Sequence, residues 1–350
     1  MRAWQVTRFG SPSHALEVRE VPEPEPGAGE ILVRATASVL NYNEVDACHG
    51  RYLTINPPLP YTLGMECVGE VVAVGVGAEE WIGRRVTASG RAGTGAHADL
   101  VVCSTAMAFE APTKLSDIEA AAFFYPFHLA YLGLHERGRL DAGETVLIHA
   151  AAGGVGSAAV QLAVAAGARV LATVGSDDKA PLVKSLGADL VINYRTDDFV
   201  RAVLDATGGR GVSVCFDGVG GSTTLRSLEC LSHGGRHLCV GFAEGIEAEE
   251  QPMVSGRALC FGNFDLVGVI LAYTDPALVP YLKDFLPVPV PKFNPPTTDV
   301  GRRVHEHLLG LLAAGSIRPV VGETVPFEGL PGALEDMEAR RTVGRTVVTR

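Results

Sequence analysis

The 350-residue chain is short of several things, and each shortage removes a class of protein. Basic residues are outnumbered: 29 Lys and Arg stand against 40 Asp and Glu, a formal net charge of −11. A nucleic-acid or anionic-membrane partner needs a basic face, so neither is expected. Long apolar runs are missing too. The most apolar stretches, around Ala120 to Leu134 and Thr145 to Val174, are interrupted by Pro126, His128 or glycines, and neither predicts a membrane span. The seven cysteines (Cys48, Cys67, Cys103, Cys215, Cys230, Cys239 and Cys260) are odd in number, scattered and without a C-x-x-C pair. With no signal-peptide pattern ahead of the first strand, they are expected to be reduced, mostly buried small apolar residues of a cytoplasmic protein. No internal repeat or low-complexity tract is present.

What remains is globular. Hydrophobic residues make up 47% and charged residues 20%, and the length suits two domains. Residues 1–119 repeat short strand signals, among them Ile31 to Ala35, Val68 to Val76 and Ala98 to Val102, broken by Gly and Pro. They predict a mostly β domain with a barrel-like core. At Ser116-Asp117-Ile118-Glu119 a helix start signal opens a helical run to about Leu134. Residues 120–275 then alternate strands and helices. The strands expected are Thr145 to Ala150, Arg169 to Val174, Leu190 to Asn193, Val212 to Phe216, Arg236 to Val240 and Leu266 to Leu271, which predicts an α/β fold with a doubly wound parallel sheet. Within residues 276–350, Pro287 to Pro296 holds five prolines and reads as a linker or excursion, and Val300 to Ala314 as a helix. The tail strand Arg345 to Val348 has no sheet of its own, so it is expected to pair back into the first domain.

The centre of this plan is the stretch from Glu144 to Val174, which reads strand, glycine turn, helix, strand. The turn Ala151-Ala152-Gly153-Gly154-Val155-Gly156 resembles the dinucleotide fingerprint G-x-G-x-x-G with Ala151 in place of the first glycine. Gly153 would let a pyrophosphate approach the backbone, Gly156 would let helix and strand pack closely, and the N–H groups that open the helix would hold the phosphates. An NAD site carries Asp or Glu about 20 residues past the glycines. Val174 stands there instead, followed by Gly175-Ser176-Asp177-Asp178-Lys179. Without that carboxylate nothing repels a 2′-phosphate, and Ser176 and Lys179 can donate to one, which points to NADP. Ser176 as a plain helix cap and Lys179 as a solvated charge stay open, and Asp177 and Asp178 must face away.

Asn41-Tyr42-Asn43-Glu44 with Gly50-Arg51-Tyr52, Leu63-Gly64-Met65-Glu66, Ala150 to Gly156, Asn193-Tyr194 and Phe216-Asp217-Gly218-Val219-Gly220 carry a family resemblance. In order and spacing the chain resembles the medium-chain dehydrogenase/reductase superfamily, and within it the zinc-independent, zeta-crystallin-like NADPH:quinone oxidoreductases. The resemblance implies a GroES-like barrel domain, a Rossmann domain, bound NADPH, a quinone or conjugated carbonyl as acceptor in the cleft between the domains, and a homodimer joined edge to edge, with Leu266 to Leu271 as the candidate edge. It implies no zinc: the positions that hold a metal in the zinc enzymes correspond to Asn41 and Met65, poor ligands for it, and no cysteine-rich lobe lies between Val86 and Val102. Cys48-His49 and Glu66-Cys67 are the remaining, weaker metal candidates.

A quinone or enone needs only a hydrogen-bond donor near the oxygen that takes up charge. Tyr52, Asn41 and Tyr42 are the donors the resemblance places beside the acceptor. Each has an ordinary alternative: Tyr52 as core packing, Asn41 as a turn residue. For the cofactor the resemblance adds Tyr194 beside Lys179 at the 2′-phosphate, and Asp217, Gly241, Phe242 and Phe264 on the approach to the nicotinamide; Asp217 as a turn cap and Tyr194 as packing stay open. Leu129 stands where relatives commonly have Thr, next to His128, and Glu44 replaces the usual Asp. Two rival functions are carried forward: a reductase of 2-enoyl thioesters or other carbon–carbon double bonds, and an NADPH-binding structural or regulatory protein without turnover.

Overall fold

In the computed structural model, residues 1–52, 55–244, 254–278 and 293–350 are described. They form two units, the first made of 1–124, 272–309 and 319–350 and the second of 125–271 and 310–318.

The first unit carries β1 (Arg2–Val6), β2 (Leu16–Glu20), β3 (Glu30–Val39), β4 (Tyr61–Thr62), β5 (Glu66–Val74), β6 (Arg85–Gly90) and β7 (Leu100–Glu110). In the long strand β3, Ile31, Val33 and Ala35 turn inward at the strand period of two, onto Cys67, Val71, Val86 and Val101. The strand pairs with β5 and β7, while β5 pairs with β6 and β6 with β7, so the four close on themselves. That ring is the barrel-like core read from the sequence. Helices α1 (Pro12–Ala15), α2 (Tyr42–His49) and α3 (Asp117–Ala121) accompany it. Ser116 caps α3 as the sequence predicted, its side chain accepting from Glu119 N while Glu119 reaches back to Ser116 N.

The second unit opens with α4 (Phe124–Tyr131), whose first residue belongs to the first unit, and continues through β8 (Thr145–Ile148), α5 (Gly154–Ala165), β9 (Arg169–Val174), α6 (Ala180–Ser185), β10 (Leu190–Asn193), α7 (Phe199–Ala206), β11 (Val212–Asp217), α8 (Gly221–Leu228), β12 (Leu231–Cys239), α9 (Gly256–Gly262) and β13 (Asp265–Gly268). The strands lie in the order β10-β9-β8-β11-β12-β13, every pair parallel. Crossing outward in both directions from β8 is the doubly wound arrangement. Several strand ends differ from the sequence reading. The last strand runs from Asp265 to Gly268 rather than Leu266 to Leu271, the first stops at Ile148, and β12 starts at Leu231, five residues early, across a bulge opposite Val212 to Val214.

The C-terminal segment adds α10 (Thr298–Ala313), β14 (Val321–Pro326), α11 (Leu330–Glu338) and β15 (Arg345–Thr349). As expected, the tail strand returns to the first unit: β15 lies antiparallel to β3, with Val347 opposite Val39 and Val348 opposite Ser38. Of the proline-rich stretch 287–296, residues 287–292 lie outside the described residues. Among the described residues no helix is long and apolar enough to cross a membrane.

Candidate functional site

In the second unit the turn after β8 is built by contacts that only small residues permit. Ala150 adopts a left-handed backbone, φ 51°, and its carbonyl accepts from Gly153 N at 2.9 Å. A Cβ on Gly156 would overlap the Ala150 carbonyl and stand 2.8 Å from Ala151 Cα, so the close approach of helix and strand requires glycine. At Gly153 the nearest atom to an added Cβ is Ala150 O at 3.3 Å. Gly153 caps α5 without a side-chain partner, and Gly154 and Val155 open its first turn half-exposed. The N–H groups there have no intrahelical acceptor and point outward, the arrangement that binds phosphate. Ala151 is buried behind them, its N–H donated to Thr173 O at 3.0 Å.

The ends of β9 and β10 stand beside this turn. Tyr194 N donates to Val174 O at 3.1 Å, and the Tyr194 hydroxyl lies over Gly175, 2.9 Å from where a Cβ would be. Ser176 and Lys179 are half-buried on the same edge. The two acidic neighbours are engaged: Asn193 Nδ2 donates to Asp177 Oδ1 at 2.9 Å, and the Ser176 hydroxyl, first, and the Lys179 charge hold the Asp178 carboxyl below its usual range. Val174 is buried, so no carboxylate occupies that strand end.

Asp217 ends β11 on this edge but turns its carboxylate inward. Its Oδ1 accepts from Val219 N at 2.8 Å and Gly220 N at 3.0 Å, its Oδ2 from Thr224 Oγ1 at 2.6 Å. With the side chain 1% exposed, Asp217 holds the loop rather than touching a ligand. Gly241 and the half-exposed Phe242 lie beside that loop: a Cβ on Gly220 would stand 3.3 Å from Gly241 O and from Phe242 Cα. Phe264 is a correction. It precedes β13, whose Asp265 is level with Arg236, so it sits at the N-terminal edge of a parallel sheet, opposite to the glycine turn.

In the first unit, Asn43 on α2 joins two candidate residues. Its Nδ2 donates to Tyr52 Oη at 2.9 Å and reaches Met65 Sδ at 3.7 Å. A small pocket is lined by Asn43, Tyr52, Ile55, Tyr61, Leu63 and Met65 among others. Sequence reasoning quoted Asn43 without a role. The signal was helical spacing, since Asn43 and Ala47, four apart, share the face of α2 that lines the pocket.

Asn41 does not stand in that pocket, which corrects its reading as a donor to the acceptor. It is buried, its Nδ2 donates to Glu66 Oε1 at 3.0 Å and its Oδ1 accepts from Arg345 Nη1 at 3.1 Å, while Arg345 also pairs with Glu66. Both ends of the amide are consumed by a buried ion pair. Tyr42 is likewise absent from the pocket lining. Burial first, and then the Asp46 carboxylate, raises its phenol pKa, so it is a poorer acid than an ordinary tyrosine. A second buried chain runs Ser38 Oγ to His97 Nδ1, 2.9 Å, and His97 Nε2 to Glu44 Oε2, 2.9 Å, while Glu44 Oε1 accepts from Met65 N at 3.0 Å. It fixes the Gly64-Met65 turn.

These residues do not fit a zinc ion. The Asn41 amide is spent on Glu66 and Arg345, Met65 offers a thioether, Cys48 is a core residue whose thiol burial pushes up to about 12, and His49 Nε2 is bonded to Glu338 at 2.8 Å. Among the described residues no group of three His, Cys, Asp or Glu could hold a metal ion.

Two family models match the chain, the alcohol dehydrogenase GroES-like domain over residues 27–113 and the zinc-binding dehydrogenase domain over residues 154–284. The crystal structure of Escherichia coli quinone oxidoreductase complexed with NADPH is 30% identical and covers 100% of both chains with a TM-score of 0.83. The apo form of JamJ enoyl reductase is 26% identical, covers 99% of this chain and 98% of its own, and gives 0.81. A mycocerosic acid synthase-like polyketide synthase of Mycobacterium tuberculosis is 37% identical over 227 residues, 65% of this chain, which spans only 11% of that protein's length.

Proposed function

The chain belongs to the medium-chain dehydrogenase/reductase superfamily, and from that premise we propose that it is a zinc-independent, NADPH-dependent reductase of quinones or related conjugated carbonyls. The observation that carries this is the glycine turn before α5: helix N–H groups without a cap, at a place where Gly156 leaves no room for a side chain, next to strand ends that offer Ser176, Lys179 and Tyr194 and have valine, not a carboxylate, at position 174. These residues fit NADPH. The α5 N–H groups would hold its diphosphate, and Ser176, Lys179 and Tyr194 its 2′-phosphate. Bound there, NADPH would supply the hydride, and the protein supplies position and polarity.

In the first unit, Tyr52 is the donor for the oxygen on which charge develops. Its oxygen accepts from Asn43, which fixes the hydroxyl and directs its own proton away from Asn43. One oriented O–H is sufficient where the charge delocalises over a conjugated system. The likeness to JamJ enoyl reductase and to the polyketide synthase favours a second reading, a reductase of 2-enoyl thioesters or other carbon–carbon double bonds, for which the same donor would serve.

We also propose a homodimer through β13. That strand ends the sheet order, and Leu266, Ile270 and Phe261 are exposed near it. Sedimentation showing only monomer would remove this part.

The test is NADPH and NADH consumption by chelator-treated protein against a benzoquinone, a naphthoquinone, a simple enone and an enoyl thioester. NADPH-specific turnover with the quinones, unaffected by the chelator, is expected. Preference for the thioester moves the assignment to the double-bond reductases, and silence across the panel with NADPH still bound moves it to a non-catalytic role.

A further inference from the structure

A line of buried polar side chains crosses the second unit beneath the loops that follow β11 and β12. Cys215 is level with His237 and Asp217 with Cys239 in adjacent parallel strands, so all four share one face of the sheet. His237 is fully buried. Its Nε2 lies 3.2 Å from Asp217 Oδ2, an ion-pair distance, yet neither ring nitrogen meets an acceptor along a hydrogen-bond line. The attraction is therefore one of charge. Burial alone would raise the Asp217 pKa and lower that of His237. The adjacent His237 ring, the charge of His149 and the Thr224 hydroxyl overcome it on Asp217, holding the carboxyl well below its usual range, and the charge of Cys215 and the adjacent Asp217 carboxylate overcome it on His237, which stays cationic. His149 extends the line, with Nδ1 2.9 Å from Thr173 Oγ1 on β9 and Nε2 2.8 Å from Ser227 Oγ on α8.

Asp217 is the point where this line meets two loops. Its carboxylate takes the N–H groups of Val219 and Gly220, and its main-chain oxygen takes those of Val240, 2.8 Å, and Gly241, 3.3 Å. Glu244 N donates to Val219 O at 2.7 Å, and the Glu244 carboxylate accepts from Ser222 Oγ and Thr223 N. Loops 218–221 and 240–244 are thus knitted to each other through one carboxylate and one carbonyl.

Sheet order says what these loops would face. The diphosphate candidate follows β8, and the 2′-phosphate candidates follow β9 and β10 on one side of it. The other half of an extended dinucleotide has to run the other way, over β11 and β12, each strand about 4.8 Å further on. We propose that His237, through Asp217, is a positioning residue for the nicotinamide half of NADPH: the buried pair holds loops 218–221 and 240–244 in the one conformation that receives it. This rests on the NADPH reading above and adds to it a residue that touches no ligand.

The experiment compares two ligands on the full chain by titration: NADPH, which spans both halves, and adenosine 2′,5′-bisphosphate, which has only the half assigned to β9 and β10. In His237→Asn the affinity for NADPH is expected to fall about tenfold while that for the bisphosphate is unchanged. Asp217→Asn is expected to do the same, and the double variant to be no worse than Asp217→Asn alone, since His237 acts through it. Thr224→Val, which removes the 2.6 Å bond to Oδ2 and leaves the ion pair in place, is expected to give a smaller loss of the same kind, and serves if His237→Asn does not fold. Equal losses for both ligands would mean general loosening of the domain and overturn the proposal, as would unchanged NADPH affinity in a folded His237→Asn or an additive double variant. Failure of the unaltered protein to bind NADPH would overturn the functional reading itself, and this inference with it.

Discussion

A Cβ on Gly156 would clash with the carbonyl oxygen of Ala150 and stand 2.8 Å from Ala151 Cα, because the first turn of α5 rests directly on the turn that leaves β8. The atoms in the way are backbone and cannot swing aside. Gly156→Ala is therefore expected to cost about 1–3 kcal/mol of stability and to weaken NADPH, because relief of the clash moves the N–H groups that would hold the diphosphate. Thermal unfolding and nucleotide titration measure the two effects. A variant as stable and as tight as the parent would show that the close approach is not needed.

Lys179 tests the nucleotide preference. Removing a cation from beside the proposed 2′-phosphate should affect NADPH and leave NADH almost alone. Lys179→Ala is expected to weaken NADPH tenfold or more, about 1.4 kcal/mol, with NADH changed less than twofold. Equal losses would remove Lys179 from the phosphate site.

For Tyr52 the prediction concerns rate. Tyr52→Phe keeps the ring against the core and deletes the hydroxyl that Asn43 holds at 2.9 Å. Turnover is expected to drop on the order of tenfold or more, with NADPH affinity unchanged. An unaltered rate would leave Tyr52 as packing.

The sequence made the second unit more legible than the site in the first. Thr145 to Gly156 declares itself through local rules, because a buried parallel strand, a glycine turn and an Ala-rich helix each leave a pattern in consecutive residues. Asn41 was misplaced because its partners, Glu66 and Arg345, are 25 and 304 residues away and no local pattern announces them. The same holds for His237 and Asp217, which meet only because two parallel strands fall into register. Phe264 was placed by family resemblance alone, and the register of β13 on β12, Asp265 level with Arg236, is a pairing between strands that no local pattern announces.

The triad of Asn41, Glu66 and Arg345 yields a stability prediction. All three are buried, and removing one charge strands the other in a low-dielectric interior. Arg345→Met is expected to lower the unfolding free energy by about 3–5 kcal/mol, and adding Glu66→Met to recover part of that loss. Urea denaturation of the single and double variants checks it. A double variant that loses the sum of two large single effects would mean that the pair is not coupled.

His305 supplies the pH dependence. Its ring packs on Phe109 with centroids 4.8 Å apart, and Nε2 donates to Glu110 O at 3.1 Å. Burial, only partly opposed by that bond and by the Glu110 charge, takes its pKa down to about 4. The unfolded chain, with a histidine near 6.5, therefore binds the proton first as pH falls, and stability is lost from about pH 6.5 down to about pH 4. Between pH 7.5 and 5 this one group is expected to account for about 2 kcal/mol. His305→Phe keeps an aromatic ring at the position and removes the titration, so its urea midpoint should fall less than the parent's over the same interval. Parallel declines in parent and variant would place the acid sensitivity elsewhere.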